Sequence, residues 1–322
     1  MIDLATKKIL VTGGNGFIGK VLVNNLIRVR NVRPEHIIVP DSKKDDLRDI
    51  ENCRRLMRDN GIQIVIHLAA RTGGLGWATR FPATLYFNNV LMDLNVVEAA
   101  KDCSVEKVQL VSSACAYPLE TTYPMVEERI WNGLPQETNL SYGIAKRIEI
   151  VQASAYRKEF SMKFGIVVPN NAYGPGDNFH LEYAHVIPSL IRQCMEGIDP
   201  LVVWGDGTPT RDFFYVKDFA EGVIAAAERL EGPEFINLGS GTETRIKKLV
   251  ELIVSLTGYK GKIIFDPTKP MGQPRRSVSI EKARALLHFE PKYDLERGLR
   301  ETIDWYKASR DATGKENGKH RA

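Results

Sequence analysis

The sequence predicts an α/β protein with a Rossmann-type, doubly wound parallel sheet and a smaller α/β lobe in its C-terminal half. Two observations predict this fold: a glycine turn between an apolar run and an amphipathic segment, and the alternation of apolar runs with helical patterns. The first apolar run covers residues 7–12, glycines follow at positions 13, 16 and 19, and the amphipathic segment ends near residue 27. This order predicts a strand, a tight turn and a helix whose N-terminus can receive a phosphate group.

The elements after the first helix repeat the same alternation. Apolar runs predict strands at residues 36–39, 62–68, 107–112 and 164–168, and helical patterns separate them at residues 47–59 and 90–101. Strands that alternate with helices lie parallel in one sheet. Segments rich in Pro, Gly and Asn at residues 169–178 and 205–209 predict loops, and a last strand at residues 235–238 precedes a helix that ends near residue 256.

This pattern divides the chain into two lobes and a tail. We predict a dinucleotide-binding domain from residues 1–170 together with about 212–240. Residues 171–211 and 241–309 then form a smaller lobe that covers the substrate. Residues 310–322 lack large apolar side chains and are expected to form a flexible tail.

Composition excludes several classes of protein. Of the 322 residues, 43% are apolar and 26% are charged, which excludes wholesale disorder and a fibrous repeat. A net charge of +4 argues against a dedicated nucleic-acid binder. There is no apolar run of about 18 residues and no signal-peptide pattern at the N-terminus, so we expect a cytoplasmic protein. The cysteines are far apart, which predicts neither a disulfide framework nor a metal site; they are Cys53, Cys103, Cys115 and Cys194.

Three polar residues are the first candidates for chemistry. Tyr142 and Lys146 are four positions apart, so on a helix they share one face. A nearby cation favours the phenolate of a tyrosine, which otherwise is a poor acid at neutral pH. Ser113 follows a predicted central strand, where parallel sheets bind their ligands. By itself the Tyr/Lys spacing is also compatible with an exposed stacked pair.

Taken together, the glycine turn, Ser113 and the Tyr142/Lys146 pair resemble the extended short-chain dehydrogenase/reductases that act on nucleotide sugars. Within that family the chain is similar to the GDP-L-fucose synthases, and the similarity runs to about residue 307. Its most specific part covers residues 171–180 and 185–188, with further matches at Gly73, Gly74 and residues 121–124. The resemblance implies a homodimer that uses NADP(H), with NAD(H) as an alternative, and acts on a GDP-sugar. The reaction implied is conversion of GDP-4-keto-6-deoxy-D-mannose to GDP-L-fucose by C3/C5 epimerisation and C4 reduction.

The resemblance also implies roles for individual residues. Tyr142 would protonate the C4 oxygen of the sugar, and Lys146 would lower the pKa of Tyr142. Ser113 would hydrogen-bond the same sugar oxygen. Cys115 and His185 would be the two acid/base groups of epimerisation, whereas without the resemblance they would be assigned to packing. The cofactor-binding residues would be Gly13, Gly16, Phe17, Ile18, Gly19, Asp41, Asp46, Leu47 and Ala69, together with Tyr142 and Lys146. The substrate-binding residues would be Asn171, Trp204, Arg211 and Arg276, with Arg275 adjacent.

Several alternatives remain open at this level. Asp41 favours NAD(H), whereas Lys43 and Lys44 beside it favour the 2′-phosphate of NADP(H). Asn170 and Arg276 depart from the usual Thr and Lys of the GDP-L-fucose synthases. The chain is also similar to the redox-neutral, NAD-dependent GDP-mannose 3,5-epimerases, but their second acid/base residue is a lysine and not a histidine. A reductase or epimerase of another nucleotide 4-keto sugar, such as a deoxyheptose, and an inactive dinucleotide-binding redox sensor are further alternatives.

Overall fold

The structure, a computed structural model, describes residues 1–73, 75–181, 184–232, 234–269 and 272–319. The strands are β1 (Ile9–Thr12), β2 (Ile37–Ile38), β3 (Ile64–His67), β4 (Lys107–Val111), β5 (Lys163–Pro169), β6 (Asn171–Tyr173), β7 (Leu201–Trp204), β8 (Thr210–Tyr215), β9 (Phe235–Leu238), β10 (Glu243–Arg245), β11 (Ile263–Asp266) and β12 (Arg275–Arg276). The helices are α1 (Phe17–Arg28), α2 (Ile50–Asn60), α3 (Leu75–Arg80), α4 (Pro82–Asp102), α5 (Leu140–Phe160), α6 (Val186–Met195), α7 (Val216–Arg229), α8 (Ile246–Thr257), α9 (Glu281–Leu287) and α10 (Leu295–Lys319).

A six-stranded parallel sheet forms the larger lobe, in the order β2-β1-β3-β4-β5-β9. Leu10 pairs with Val65, and Val65 pairs with Val108, so the central strands are in continuous register. The direction of strand order reverses between β1 and β3, and the carboxyl ends of these strands border the crevice where such sheets bind ligands. The predicted doubly wound parallel sheet is confirmed.

Local signals explain where two of the helices begin. Asp49 caps α2 by accepting a hydrogen bond from the Glu51 N–H at 2.9 Å, so this helix begins at residue 50 and not at the predicted residue 47. The α4 helix begins at Pro82, eight residues before the predicted start. Proline is favourable in the first turn of a helix, and the polar Asn88 and Asn89 interrupt the apolar pattern from which the later start was predicted.

The smaller lobe is built around β8, which pairs with β6, β10 and β12, while β7 pairs with β11. Residues 171–173 were predicted to lie in a loop but form β6, because their backbone pairs with residues 213–215 of β8. This lobe has a hydrophobic core of its own, which includes Tyr173, Ile187, Leu190, Phe213, Leu249, Ile253 and Leu299.

Two parts of the C-terminal half bear on the predicted domain boundaries. Ala283 and Leu287 of α9 pack in the core of the larger lobe, although residues 241–309 were predicted for the smaller one. The α10 helix includes residues 310–319, while residues 320–322 of the predicted tail lie outside the described residues. The exact boundaries and the flexibility of the tail stay predictions. None of the helices in the described ranges is long and apolar enough to cross a membrane.

Candidate functional site

The glycine turn lies between β1 and α1 at the crevice of the larger sheet. Gly13 has a left-handed backbone (φ +70°), and a Cβ there would lie 2.8 Å from the Ala69 backbone nitrogen. A Cβ at Gly19 would overlap the carbonyl oxygen of Gly13. Gly16 is the N-cap of α1 and has no side chain with which to cap it. The N–H groups of the first turn of α1 are therefore open to an anion, as a dinucleotide pyrophosphate requires.

Two acidic residues that follow β2 already have local partners. The Asp41 carboxylate accepts a hydrogen bond from the Lys43 N–H at 3.0 Å within an exposed turn. Asp46 accepts hydrogen bonds from Nε of Arg48 at 2.9 Å and from Nη2 at 2.6 Å, and these, with one from the Arg48 backbone N–H, lower the pKa of Asp46 to about 2. Leu47 is buried beside them. Asp41 thus stabilises its own turn, and Lys43 lies exposed next to it.

A close approach of α5 to the end of β4 positions the predicted catalytic residues. Ser113 caps a short 3-10 turn, where its Oγ accepts the Cys115 N–H at 3.2 Å. A Cβ at Gly143 would overlap the Cys115 carbonyl oxygen, so only glycine permits this packing. The Ser112 hydroxyl donates to the Lys146 carbonyl oxygen at 2.8 Å and fixes α5 against the strand end. Ser113, Cys115 and the Tyr142/Lys146 face of α5 therefore meet at the carboxyl end of the central strand β4.

Tyr142 and Lys146 lie in an environment that perturbs both groups. Burial raises the pKa of Tyr142, and the charge of Lys146 opposes that rise. Lys146 is almost fully buried; burial disfavours its charge, but Asp93 and Glu149 outweigh this effect and raise its pKa. The ammonium is therefore a permanent charge one helical turn from Tyr142.

A second group of residues forms a cleft between the two lobes. The Arg276 Nη1 donates to the Cys115 Sγ at 3.4 Å, and its Nε donates to Gln273 Oε1 at 2.9 Å. Burial and the Arg276 charge lower the pKa of the half-buried Arg211 to about 10. His185, the N-cap of α6, is exposed at this cleft, and the protein atoms around its ring together with Arg276 lower its pKa. Two guanidinium groups, a thiol and an imidazole therefore converge here.

Three other predicted substrate residues are more dispersed. Asn171 begins β6, and its buried side-chain nitrogen has no hydrogen-bond acceptor among the described residues. Trp204 ends β7, is 53% exposed, and belongs to the two-stranded sheet of the smaller lobe. Arg275 pairs with Glu243, with its Nε 2.9 Å from Oε2. Gly74 lies outside the described residues.

Sequence reasoning missed several residues of this region. The Tyr123 ring lies 5.2 Å from the Arg275 guanidinium, and burial raises its pKa against the charges of Arg276 and Arg211. The only signal for Tyr123 was its place in residues 121–124 of the resemblance. A buried network around Lys146 was missed as well; its members are Thr12, His67, Asp93 and Glu149. Within the described ranges, no group of three or more His, Cys, Asp or Glu side chains could hold a metal ion.

Comparisons with known proteins bear on this site. The sequence model of the NAD dependent epimerase/dehydratase family matches residues 9–239. A GDP-L-fucose synthase from Sinorhizobium fredii is 35% identical over 308 residues, which cover 94% of this chain and 96% of that protein. The GDP-L-fucose synthase of Escherichia coli is 30% identical over 321 residues, covering 96% and 99%. The crystal structure of a GDP-L-fucose synthetase from Naegleria fowleri bound to NADP superposes with a TM-score of 0.85 at 30% identity, covering 95% of this chain and 94% of that chain.

Proposed function

The chain belongs to the NAD dependent epimerase/dehydratase family, and we propose that it is an NADP(H)-dependent nucleotide-sugar epimerase and reductase that converts GDP-4-keto-6-deoxy-D-mannose to GDP-L-fucose. One observation carries this proposal: the Arg276 guanidinium contacts the Cys115 thiol beside the helix of Tyr142. Arg276 would bind a diphosphate, Cys115 would move a proton next to a ketone, and Tyr142 would protonate a ketone oxygen. In this proposal the three groups serve one cleft. Identity of at least 30% to GDP-L-fucose synthases over nearly the whole chain supports this substrate.

The residues around the glycine turn fit a dinucleotide cofactor. The close packing of Gly13 and Gly19 keeps side chains out of the turn. The pyrophosphate of the cofactor would therefore lie on the N–H groups of Phe17, Ile18 and Gly19. When bound, NADP(H) supplies the hydride that reduces the ketone. The turn of Asp41 with the exposed Lys43 fits a ribose 2′-phosphate. The other cofactor contacts that we propose are Gly16, Asp46, Leu47, Ala69, Tyr142 and Lys146.

Tyr142 and its neighbours account for reduction at C4. We assign to the Tyr142 hydroxyl the donation of a proton to the C4 oxygen as negative charge develops there. The Lys146 ammonium stabilises the phenolate that remains, because it is a permanent charge one helical turn away. The Ser113 hydroxyl, at the strand end, donates a hydrogen bond to the same sugar oxygen.

Cys115 and His185 account for epimerisation. A proton next to a ketone is removed on one face of the sugar and returned on the other, so two groups are needed. Because its pKa is lowered, His185 is neutral at pH 7 and can accept a proton. The Cys115 thiol, held by Arg276, is the group that we assign to the other face.

Arg211 and Arg276 account for the nucleotide diphosphate. Burial and the charge of Arg276 both lower the pKa of Arg211, and a bound diphosphate would offset both effects. Asn171 would donate its free side-chain N–H to the sugar or diphosphate. We assign the nucleotide base to the exposed ring of Trp204, which offers a flat apolar surface.

The predicted homodimer has a candidate surface on α4 and α5. Phe87 of α4 and Val151 of α5 are 60% and 56% exposed, which is unusual for large apolar side chains on a helix pair. We propose that these helices pack against their copies in a second chain. Light scattering should show a dimer for the natural protein and a monomer for Val151→Glu; a natural protein that is monomeric at micromolar concentration contradicts this proposal. The cytoplasmic location stays a prediction.

The direct test of the reaction offers GDP-, UDP-, CDP- and dTDP-4-keto sugars with NADPH or NADH. We expect loss of NADPH absorbance only with the GDP-linked 4-keto-6-deoxy sugar, and nuclear magnetic resonance should identify the product as GDP-L-fucose. Turnover with a heptose or another nucleotide would replace the substrate assignment. Sugar isomerisation with bound NAD and no net oxidation of cofactor would instead support the redox-neutral epimerase.

A further inference from the structure

A chain of buried polar side chains runs from the end of β1 to the middle of α5. The Thr12 hydroxyl lies 2.6 Å from His67 Nδ1, and His67 Nε2 lies 2.9 Å from Asp93 Oδ1. The other oxygen of Asp93 lies 3.6 Å from Lys146 Nζ, which also contacts Glu149 Oε1. All five residues are at most 2% exposed. The catalytic lysine is thus held by two carboxyl groups inside the protein.

The hydrogen bonds of His67 are satisfied by its neutral form. The Thr12 Oγ1 accepts the Ala69 N–H at 3.2 Å, so its own hydrogen is available to His67 Nδ1. His67 Nε2 then donates its hydrogen to Asp93. One ring proton is therefore enough for His67 to make both contacts.

The two carboxyl groups present a charge imbalance if both are ionised. Asp93 and Glu149 would together carry two negative charges against the single ammonium of Lys146, deep in the protein, where an unbalanced charge is costly. Their outer oxygens, Asp93 Oδ2 and Glu149 Oε2, are buried and have no hydrogen-bond donor among the described residues. One proton between these oxygens would satisfy both atoms and remove the excess charge.

The effects of the surroundings on the two groups differ in direction. Burial and the charge of Asp93 raise the pKa of Glu149 well above its ordinary value. Burial also opposes ionisation of Asp93, but the Lys146 charge and the hydrogen bond from His67 hold its pKa below the ordinary value. Outside the Asp93/Glu149 pair, the charged and titratable groups that face it are His67 of β3, and Lys146 and Tyr142 of α5.

We propose that Glu149 is a positioning residue that holds a proton and shares it with Asp93, so that the pair carries one negative charge and balances the Lys146 ammonium. A second negative charge would stabilise the ammonium further and oppose formation of the Tyr142 phenolate on the same helix face. The shared proton therefore leaves Lys146 effective toward Tyr142. The kinetic part of this inference rests on the proposed C4 reduction, whereas the protonation of Glu149 does not.

Infrared spectroscopy tests the proton directly, without turnover. At about pH 8, above the pKa of Asp177 (about 7) and of Asp212 (about 6), we expect a carbonyl band of a protonated carboxyl that shifts in D₂O. The band should disappear in Glu149→Gln. It should also disappear in Asp93→Asn, because Glu149 then ionises to balance Lys146. The exposed Glu251 pairs with Lys248, and Glu251→Gln is the matched control that retains the band.

Kinetics with NADPH and the keto sugar test the consequence for Tyr142. Glutamine imitates a protonated glutamate, so Glu149→Gln should keep kcat within about twofold and leave the basic limb of the pH profile of reduction in place. Glu149→Leu, which lacks both hydrogen bonds, should lower kcat by about tenfold or more with little change in KM.

Three results would overturn the inference: no band in the natural protein, a band that persists in both Glu149→Gln and Asp93→Asn, or a basic limb that moves about one pH unit lower in Glu149→Gln, as loss of a charge would cause. A natural protein that shows the band but reduces no keto sugar would contradict the proposed reaction and leave the shared proton standing.

Discussion

The site has two regions that hold positive charge in opposite ways. Around Lys146, the protein supplies its own counter-charge from Asp93 and Glu149, and the whole network is buried. In the cleft between the lobes, Arg276 hydrogen-bonds to Gln273 and Cys115, and its charge acts unfavourably on Arg211. In the first region the protein supplies carboxylate partners for the positive charge, whereas in the second we expect a bound anion to supply them. The difference separates the groups that perform chemistry from those that capture the substrate.

The largest effect should come from the first region. Tyr142→Phe removes the proton donor, and we expect the rate of C4 reduction to fall by about 10²–10⁴-fold. Tyr156→Phe is a suitable control, because Tyr156 lies on the same helix and contacts Glu98 far from the strand end. Single-turnover oxidation of NADPH measures the rate. A Tyr142→Phe variant that oxidises NADPH at the natural rate would remove Tyr142 from the mechanism.

The charge balance of the first region can be broken by removing both carboxyl groups. Asp93→Asn and Glu149→Gln should each be tolerated, since the remaining carboxylate balances Lys146. The double variant leaves a buried, unpaired ammonium, and its free energy of unfolding should fall by about 3–5 kcal/mol. Urea unfolding of all four proteins gives the coupling between the two residues. Losses that simply add would show that the carboxyl groups do not act as one unit.

The second region should respond through binding and not through stability. Arg276→Met removes a charged hydrogen-bond donor, so the Kd for the GDP-sugar should rise by about 10–100-fold. The unliganded protein should keep or increase its melting temperature, because repulsion with Arg211 is relieved. Arg275→Met is the matched control, since Arg275 already pairs with Glu243. Calorimetric titration and thermal unfolding measure the two quantities; an unchanged Kd would remove Arg276 from the binding site.

The smallest effect concerns the pH dependence of epimerisation. The pKa of His185 lies below its ordinary 6.5, so the base form is present at and above that pH and is lost as the pH falls through the lowered value. Incorporation of deuterium at C3 and C5 from D₂O should therefore decrease only below about pH 6.5. His185→Gln should abolish this limb, and His180→Gln in the same loop should retain it. An exchange rate that already falls above pH 7 would contradict the role of His185.

The extent to which the sequence could predict the site differs between the two regions. Tyr142 and Lys146 share one helix, and the spacing of four residues alone predicts that they are neighbours. Cys115 and Arg276 are 161 positions apart, so only the resemblance suggested that both belong to the site. The contact of Arg276 with the thiol, and the place of Tyr123 beside it, follow from the packing of the two lobes.

The helix boundaries show the same limit on a smaller scale. Asp49 predicts where α2 begins once its side chain is known to accept the Glu51 N–H. The early start of α4 was not predicted, because Leu85 is the one buried residue among residues 82–87, and the next buried positions are the polar Asn88 and Asn89. Tertiary contacts hold this end of the helix, including the Arg71 N–H with Asn89 Oδ1 at 2.8 Å. The spacing of apolar residues in a sequence identifies only the part of a helix that packs on a hydrophobic core.

The sequence by itself determined the parallel sheet, the glycine turn and the Tyr/Lys pair, since apolar alternation, the absence of a Cβ and helical spacing are local properties of the chain. Only the tertiary structure decided that Lys146 lies between Asp93 and Glu149, and that Arg211 and Arg276 meet beside Cys115. The electrostatic energy of a charge depends on the groups within a few ångströms of it and on their burial. Those neighbours come from distant parts of the chain, and folding alone brings them together.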